Sequence, residues 1–146
     1  MSNPNHLRLT KLALTTGFRR SELLSLTWRN IDLKKRIIYI CRKNCAAINN
    51  SSGLRFVPIP EKALKILERI HRRDGEVIKL SKGSARNGFD KARKKAGLET
   101  LRFHDLRHIA ISRMWSSGMN ALEISACSGH RDIKMLMRYS HFQLSI

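Results

Sequence analysis

One run of β-branched and aromatic residues, Arg36-Ile37-Ile38-Tyr39-Ile40-Cys41-Arg42, interrupts a chain whose other apolar residues recur at helical spacing. A strand needs a partner, and the nearest candidate is Phe56-Val57-Pro58-Ile59-Pro60. Pro58 has no backbone donor, which confines that segment to a sheet edge or a strand end. Between the two runs, Asn49-Asn50-Ser51-Ser52-Gly53 is turn chemistry. The pattern predicts a long β-hairpin with a polar tip, set in an otherwise helical chain. The expected class is mainly α with a small antiparallel sheet.

Helical periodicity places the rest. Leu7, Leu9, Leu12 and Ala13 mark a helix over 7–14, interrupted at Thr16-Gly17, and Leu23, Leu24 and Leu26 mark a second over 21–26. A third is expected over 61–73, with a stripe of Ala63, Leu64, Leu67 and Ile70 and with Arg69, Arg72 and Arg73 in its last turn. Residues 77–80 read as a short strand. A basic helix over 84–96 stops at Gly97, and another over 104–117 carries Leu106, Ile109, Ala110, Arg113 and Met114 in phase. Asn120-x-x-Glu123 resembles a capping box. Asp132 is expected to cap a last helix reaching Phe142. On it Ile133, Leu136, Met137 and Ser140 share one face, and Tyr139 falls about 60° outside that stripe at roughly 100° per residue. Tyr139 is therefore expected to present its hydroxyl.

The charge narrows the partner. Twenty-nine Lys and Arg against eleven Asp and Glu give a formal charge of +18 on 146 residues, a length suited to one domain. Such a domain repels itself unless a polyanion is near, which points to nucleic acid through phosphate contacts. Aromatic residues are 6% of the chain, few for stacking on the bases of single-stranded RNA. No apolar run approaches the roughly 20 residues a spanning helix needs, so no membrane is expected. Met1 to Asn5 does not read as a signal peptide. Cys41, Cys45 and Cys127 are odd in number and lack a C-x-x-C pair, which suits free thiols in a reducing, cytoplasmic compartment.

Several side chains suit phosphate chemistry. Arg19 and Glu22, three apart, face the same way on a helix, and a carboxylate can hold a guanidinium fork toward a phosphate. As a surface ion pair alone they contribute little. His104 and Arg107 repeat that spacing at a helix start, where backbone N–H groups favour an anion. His104 and His108 are four apart, but the Glu of a zinc-binding H-E-x-x-H is absent, so no metal is expected. His108 reads as packed or solvated. His130 follows Gly129 at a helix junction and can donate a hydrogen bond to a phosphate oxygen. A phenol with two arginines and two histidines suits attack on a phosphodiester without metal or cofactor.

Taken together, Thr16-Gly17-Phe18-Arg19-Arg20-Ser21-Glu22-Leu23, Phe56-Val57-Pro58-Ile59-Pro60, His104-Asp105-Leu106-Arg107-His108, and Gly129-His130 with Tyr139 nine residues after the His resemble the catalytic domain of tyrosine recombinases, the phage integrase family. The resemblance runs from about Leu7 to about Phe142. It narrows the partner to double-stranded DNA and implies site-specific DNA integration or excision for a mobile element, by strand cleavage and rejoining. Tyr139 would be the nucleophile, leaving a 3′-phosphotyrosyl link and a 5′-hydroxyl. Arg19 and Arg107 would clamp the non-bridging oxygens, His104 and His130 would donate hydrogen bonds or protons, and Glu22 would support Arg19. Self-association on DNA, as a tetramer in the synapse, is also implied.

The chain departs from the family pattern. The hairpin lysine that protonates the departing 5′-oxygen has Asn49 and Asn50 in its stretch, and Lys43 is the nearest lysine. Ser128 stands where the family commonly has an apolar residue. Residues 1–146 are expected to form a single catalytic domain without the N-terminal core-binding domain, with a short tail after Tyr139. A fragment or degraded gene with weak binding and little unaided recombination is the expectation. Two other functions compete: a non-catalytic basic DNA-binding module, and a type IB topoisomerase-like nicking and resealing activity. The tips of Arg19, His104, Arg107 and His130 are expected to converge on one basic concavity, with the Tyr139 helix displaced from it in the absence of DNA.

Overall fold

The computed structural model describes residues 3–41 and 54–140. Helix α1 (Pro4–Thr16) is capped by Asn3, whose side chain accepts the Asn5 amide at 3.0 Å. It ends at Gly17, whose left-handed φ of 70° turns the chain while its amide still bonds the Ala13 carbonyl. Leu9, Leu12, Ala13 and Thr16 are buried at helical spacing, but Leu7 is 58% exposed. Leu7 and Leu9 are two apart, nearly opposite on a helix, so only one can face the core.

Helix α2 (Arg20–Ser25) buries Leu23, and a single 3₁₀ turn (Trp28–Asn30) leads into the sheet. Strands β1 (Ile31–Asp32), β2 (Ile37–Cys41) and β3 (Leu54–Pro58) lie in the order β1-β2-β3, all antiparallel. Ile37 faces Pro58 and Cys41 faces Leu54, so the two predicted strands pair, with Pro58 as the last residue of an edge strand; the expected turn over 49–53 lies outside the described residues. Ile38, Ile40 and Val57 point into the core, while Phe56 is 57% exposed.

Helix α3 (Glu61–Glu68) is shorter than the apolar stripe predicts. Ile70 is buried, but its amide bonds the Leu67 carbonyl in a tightened last turn, and Arg69, Arg72 and Arg73 lie beyond the helix. Arg72 pairs with Asp74 at 2.7 Å instead, and the Arg73 guanidinium sits 5.7 Å from the Trp28 ring centre. Residues 77–80 form no strand. Val77 and Ile78 are consecutive and both buried, which a strand with one buried face does not allow, and the Val77 amide bonds the Leu26 carbonyl at 2.9 Å.

Helices α4 (Lys82–Lys95), α5 (Phe103–Ser116) and α6 (Ala121–Ser128) follow. Ile109 is only partly buried and Arg113 is exposed, so the inward face of α5 is Leu106, Arg107, Ala110, Ile111, Met114 and Trp115. The capping box on α6 forms in both directions, with Asn120 and Glu123 exchanging bonds at 3.0 and 2.8 Å. Asp132 accepts the Lys134 amide at 2.9 Å, yet the last helix, α7 (Lys134–Met137), is one turn long.

The apolar interior has two parts. The larger gathers α1, α2, the sheet and α3, with Ala85 and Leu106. The smaller gathers Ile111, Met114 and Trp115 with Ile124, Leu136 and Tyr139. Helix α5 enters both, and its first two turns carry His104, Arg107 and His108.

Candidate active site

Arg107 sits at the centre. Only 3% of it is exposed, and its two terminal nitrogens serve different elements. Nη1 donates to the Gly17 carbonyl at 2.7 Å, and Nη2 lies 3.2 Å from His130 Nδ1. The Thr16-Gly17-Phe18 turn makes that carbonyl available. The Thr16 hydroxyl donates to Leu12 at 2.7 Å and accepts the Phe18 amide, while the φ of 70° at Gly17 favours glycine over any residue with a Cβ.

Arg19 lies beside this group at the start of α2. The Glu22 carboxylate accepts the Arg19 amide at 2.8 Å and its guanidinium at 3.3 Å, as the i,i+3 spacing predicts. The Arg19 side chain remains 45% exposed and therefore accessible. Arg19, His104 and Arg107 line a concavity of about 280 Å³ together with Phe18, Arg20, Arg102 and Phe103. Of the four tips expected to converge, three line this concavity, and His130 contacts Arg107 Nη2 without lining it.

Tyr139 differs from the expectation. It is 8% exposed and packed into the smaller apolar cluster, outside the residues that line the concavity, while Ile133 and Met137 of the expected inward stripe are 38% and 52% exposed. Bonding pattern is the reason. Helix α7 stops at Met137, and the Tyr139 amide bonds the Leu136 carbonyl in the turn that follows, so the phase of an uninterrupted helix does not extend to Tyr139. Leu136 and Tyr139 both face inward. The Tyr139 hydroxyl still has a polar partner, His108 Nδ1. The two rings stack with centres 5.8 Å apart, and His108 meets His104 edge-on at 4.9 Å.

The titrating groups respond to burial and to crowded positive charge. Burial, then Arg107 and Arg19, hold His130 down to about 4. Burial first, then His108, Arg107 and Arg19, lower His104. Arg107 is lowered to about 10, chiefly by burial and by Arg19, with Glu22 opposing. Burial raises the Tyr139 phenol against the pull of Arg138 and Arg107. Burial also opposes ionisation of Glu22, but Arg55 and Arg19 outweigh it, and the carboxyl ends below its ordinary value. At neutral pH the site is a set of arginines beside His104 and His130, both pushed toward the neutral form, and a neutral phenol.

Three residues belong to the site that the sequence reading passed over. Arg55 on β3 donates to both Glu22 oxygens at 3.2 and 3.4 Å and lies 5.4 Å from the Phe18 ring centre. Its signal was available: Arg55 shares its pleat face with Val57, so it is a cation on the inward side of a strand. His108 was set aside with the zinc reading, although its partner is Tyr139. Buried Ser128 lies 2.7 Å from His130 Nδ1. Among the described residues no three His, Cys, Asp or Glu side chains cluster as a metal site. Among them, too, no helix is long and apolar enough to cross a membrane. Lys43 and Cys45 lie outside the described residues.

Comparison with known proteins bears on the family and the fold. A shufflon-specific DNA recombinase of Escherichia coli is 37% identical over 134 residues, covering 90% of this chain and 33% of that protein. The chain thus spans about a third of that relative's length. The catalytic domain of bacteriophage HP1 integrase superposes with a TM-score of 0.66 at 24% identity, over 97% of this chain and 86% of that one. The Tn1549 transposon integrase, solved in complex with circular intermediate DNA, gives 0.67 at 22% identity over 93% of this chain and 55% of that one. These two likenesses establish the shared fold. The sequence profile of the phage integrase family matches residues 3–145, and the chain belongs to that family.

Proposed function

We propose that this chain is the catalytic domain of a tyrosine-type site-specific recombinase that cleaves and rejoins duplex DNA. The observation that carries the reading is the meeting of Arg19, His104, Arg107 and His130 beside a tyrosine hydroxyl held by His108. The Tyr139 oxygen attacks phosphorus, the bond from phosphorus to the 5′-oxygen breaks, and a 3′-phosphotyrosyl link forms. Because burial keeps the phenol protonated, a base must take its proton, and His108 Nδ1 is in contact with it when that ring carries its hydrogen on Nε2. The pentacoordinate phosphorus carries added negative charge, which Arg19 and Arg107 stabilise without reorganising. Lys43 is the proposed donor to the departing 5′-oxygen. Attack by a second 5′-hydroxyl reverses the step and exchanges strands.

The +18 charge supports a DNA partner, and the transposon integrase with the same fold was solved on DNA. Assembly as a tetramer at the synapse and action in the cytoplasm complete the proposal. The test is a pool of nicked duplexes with randomised sequence around the nick, from which covalent adducts are recovered. Wild-type protein should yield DNA attached at Tyr139, and Tyr139→Phe should bind DNA but yield none. A protein that binds yet traps no duplex, and in which Arg19→Ala costs only affinity, is a DNA-binding module instead.

A further inference from the structure

We propose that Ser128 is a positioning residue which, with Arg107, fixes His130 as the tautomer carrying hydrogen on Nε2, so that His130 acts as a neutral hydrogen-bond donor. The inference rests on the proposed cleavage chemistry for its role but not for its geometry. His130 Nδ1 has two neighbours, Arg107 Nη2 at 3.2 Å and Ser128 Oγ at 2.7 Å. A guanidinium nitrogen can only donate, so Nδ1 must present its lone pair. Ser128 then also donates, and the ring hydrogen is left on Nε2, at the opposite edge of the imidazole. Were Nδ1 protonated, an N–H would face an arginine N–H inside a buried group.

Helix α6 holds the backbone of the same residue. The Ser125 hydroxyl donates to the His130 carbonyl at 2.6 Å, and the Gly129 amide bonds the Ser125 carbonyl at 2.8 Å. Two serines three apart on one helix face thus fix His130, one by its main chain and one by its ring. The charged groups that act most on His130 work in the same direction. Arg107 and His108 on α5, Arg19 before α2 and Arg138 after α7 all disfavour a second proton. An apolar residue at 128 would leave Arg107 as the sole restraint on the ring plane.

The test is the imidazole nitrogen spectrum of histidine-labelled protein at neutral pH, with the His130 signals identified by their absence in His130→Asn. Wild type should show Nδ1 unprotonated and Nε2 protonated. Ser128→Ala should shift and broaden the Nδ1 signal and slow covalent-adduct formation about tenfold, with DNA affinity unchanged. Ser128→Cys, a weak donor of similar shape, should fall between. A protonated Nδ1 in wild type overturns the inference, as does Ser128→Ala with unaltered spectrum and rate. Wild type that forms no adduct overturns the cleavage reading alone, and the spectra then decide the tautomer by themselves.

Discussion

The Arg55 guanidinium closes on the Glu22 carboxylate with both terminal nitrogens, at 3.2 and 3.4 Å, while the same carboxylate holds Arg19 at 3.3 Å. The edge strand of the hairpin is thereby tied to the arginine that lines the concavity. Arg55→Ala should slow covalent-adduct formation about 100-fold by letting Arg19 drift, with little change in DNA affinity. It should also lower stability by ~1–3 kcal/mol, because Glu22 loses its better partner while only 15% exposed. Arg55→Lys should not restore the rate, since one ammonium cannot span both oxygens. Single-turnover cleavage and urea unfolding measure the two effects.

Gly129 has a φ of 76°, and a Cβ there would run into Arg55 Nη1. Gly129→Ala should lose ~1–2 kcal/mol from backbone strain alone. Its effect on cleavage should exceed that figure, because relief of the clash moves Arg55 away from Glu22 or His130 away from Arg107. Thermal unfolding read alongside adduct formation separates the two losses.

Stability should fall with pH in two steps. His130 is depressed from 6.5 to about 4 in the folded chain, so below pH 6.5 the unfolded chain takes up the proton first and gains relative to the native state. His104 shifts in the same direction. The first loss therefore spans roughly pH 6.5 to 4. Glu22 is lowered from 4.5, so its contribution is intact above that pH and is lost below it. His130→Asn should flatten the upper step and Glu22→Gln the lower one. Denaturant titrations across pH 3 to 8 show which step each substitution removes; a single unchanged curve in both variants contradicts the assignment.

Sulfate should stabilise the protein by occupying the concavity of Arg19, His104 and Arg107. At about 100 times its dissociation constant a bound anion adds ~2.7 kcal/mol. Sodium chloride at equal ionic strength should do less, and Arg19→Ala should abolish the difference. Melting temperature in the two salts is the measurement.

Much of this architecture follows from short-range rules that the sequence displays openly. Pro58 marks the strand end, Asn120 and Glu123 mark the α6 start, and the i,i+3 spacing of Arg19 and Glu22 is realised as an ion pair. The failures came where tertiary demands altered local winding. Nothing in Ile133 to Ser140 announces that the helix stops at Met137, so helical phase misplaces the facing of Tyr139. Arg55 and Glu22 are 33 residues apart, and their pairing depends on how β3 lies against α2. Ser128 looked like a defect in a motif because its partner, His130, was considered only as a ligand for phosphate.

Tyr139 is both the proposed nucleophile and, with Leu136, one of the two buried side chains pinning the last turn to α5. A phenol bonded to a DNA phosphate no longer has a proton to share with His108 Nδ1. Each strand break would then make this ring the joint between the inner cluster of the protein and the nucleic acid. Religation frees it, so the seating of the last turn on α5 and the state of the strand meet in one side chain.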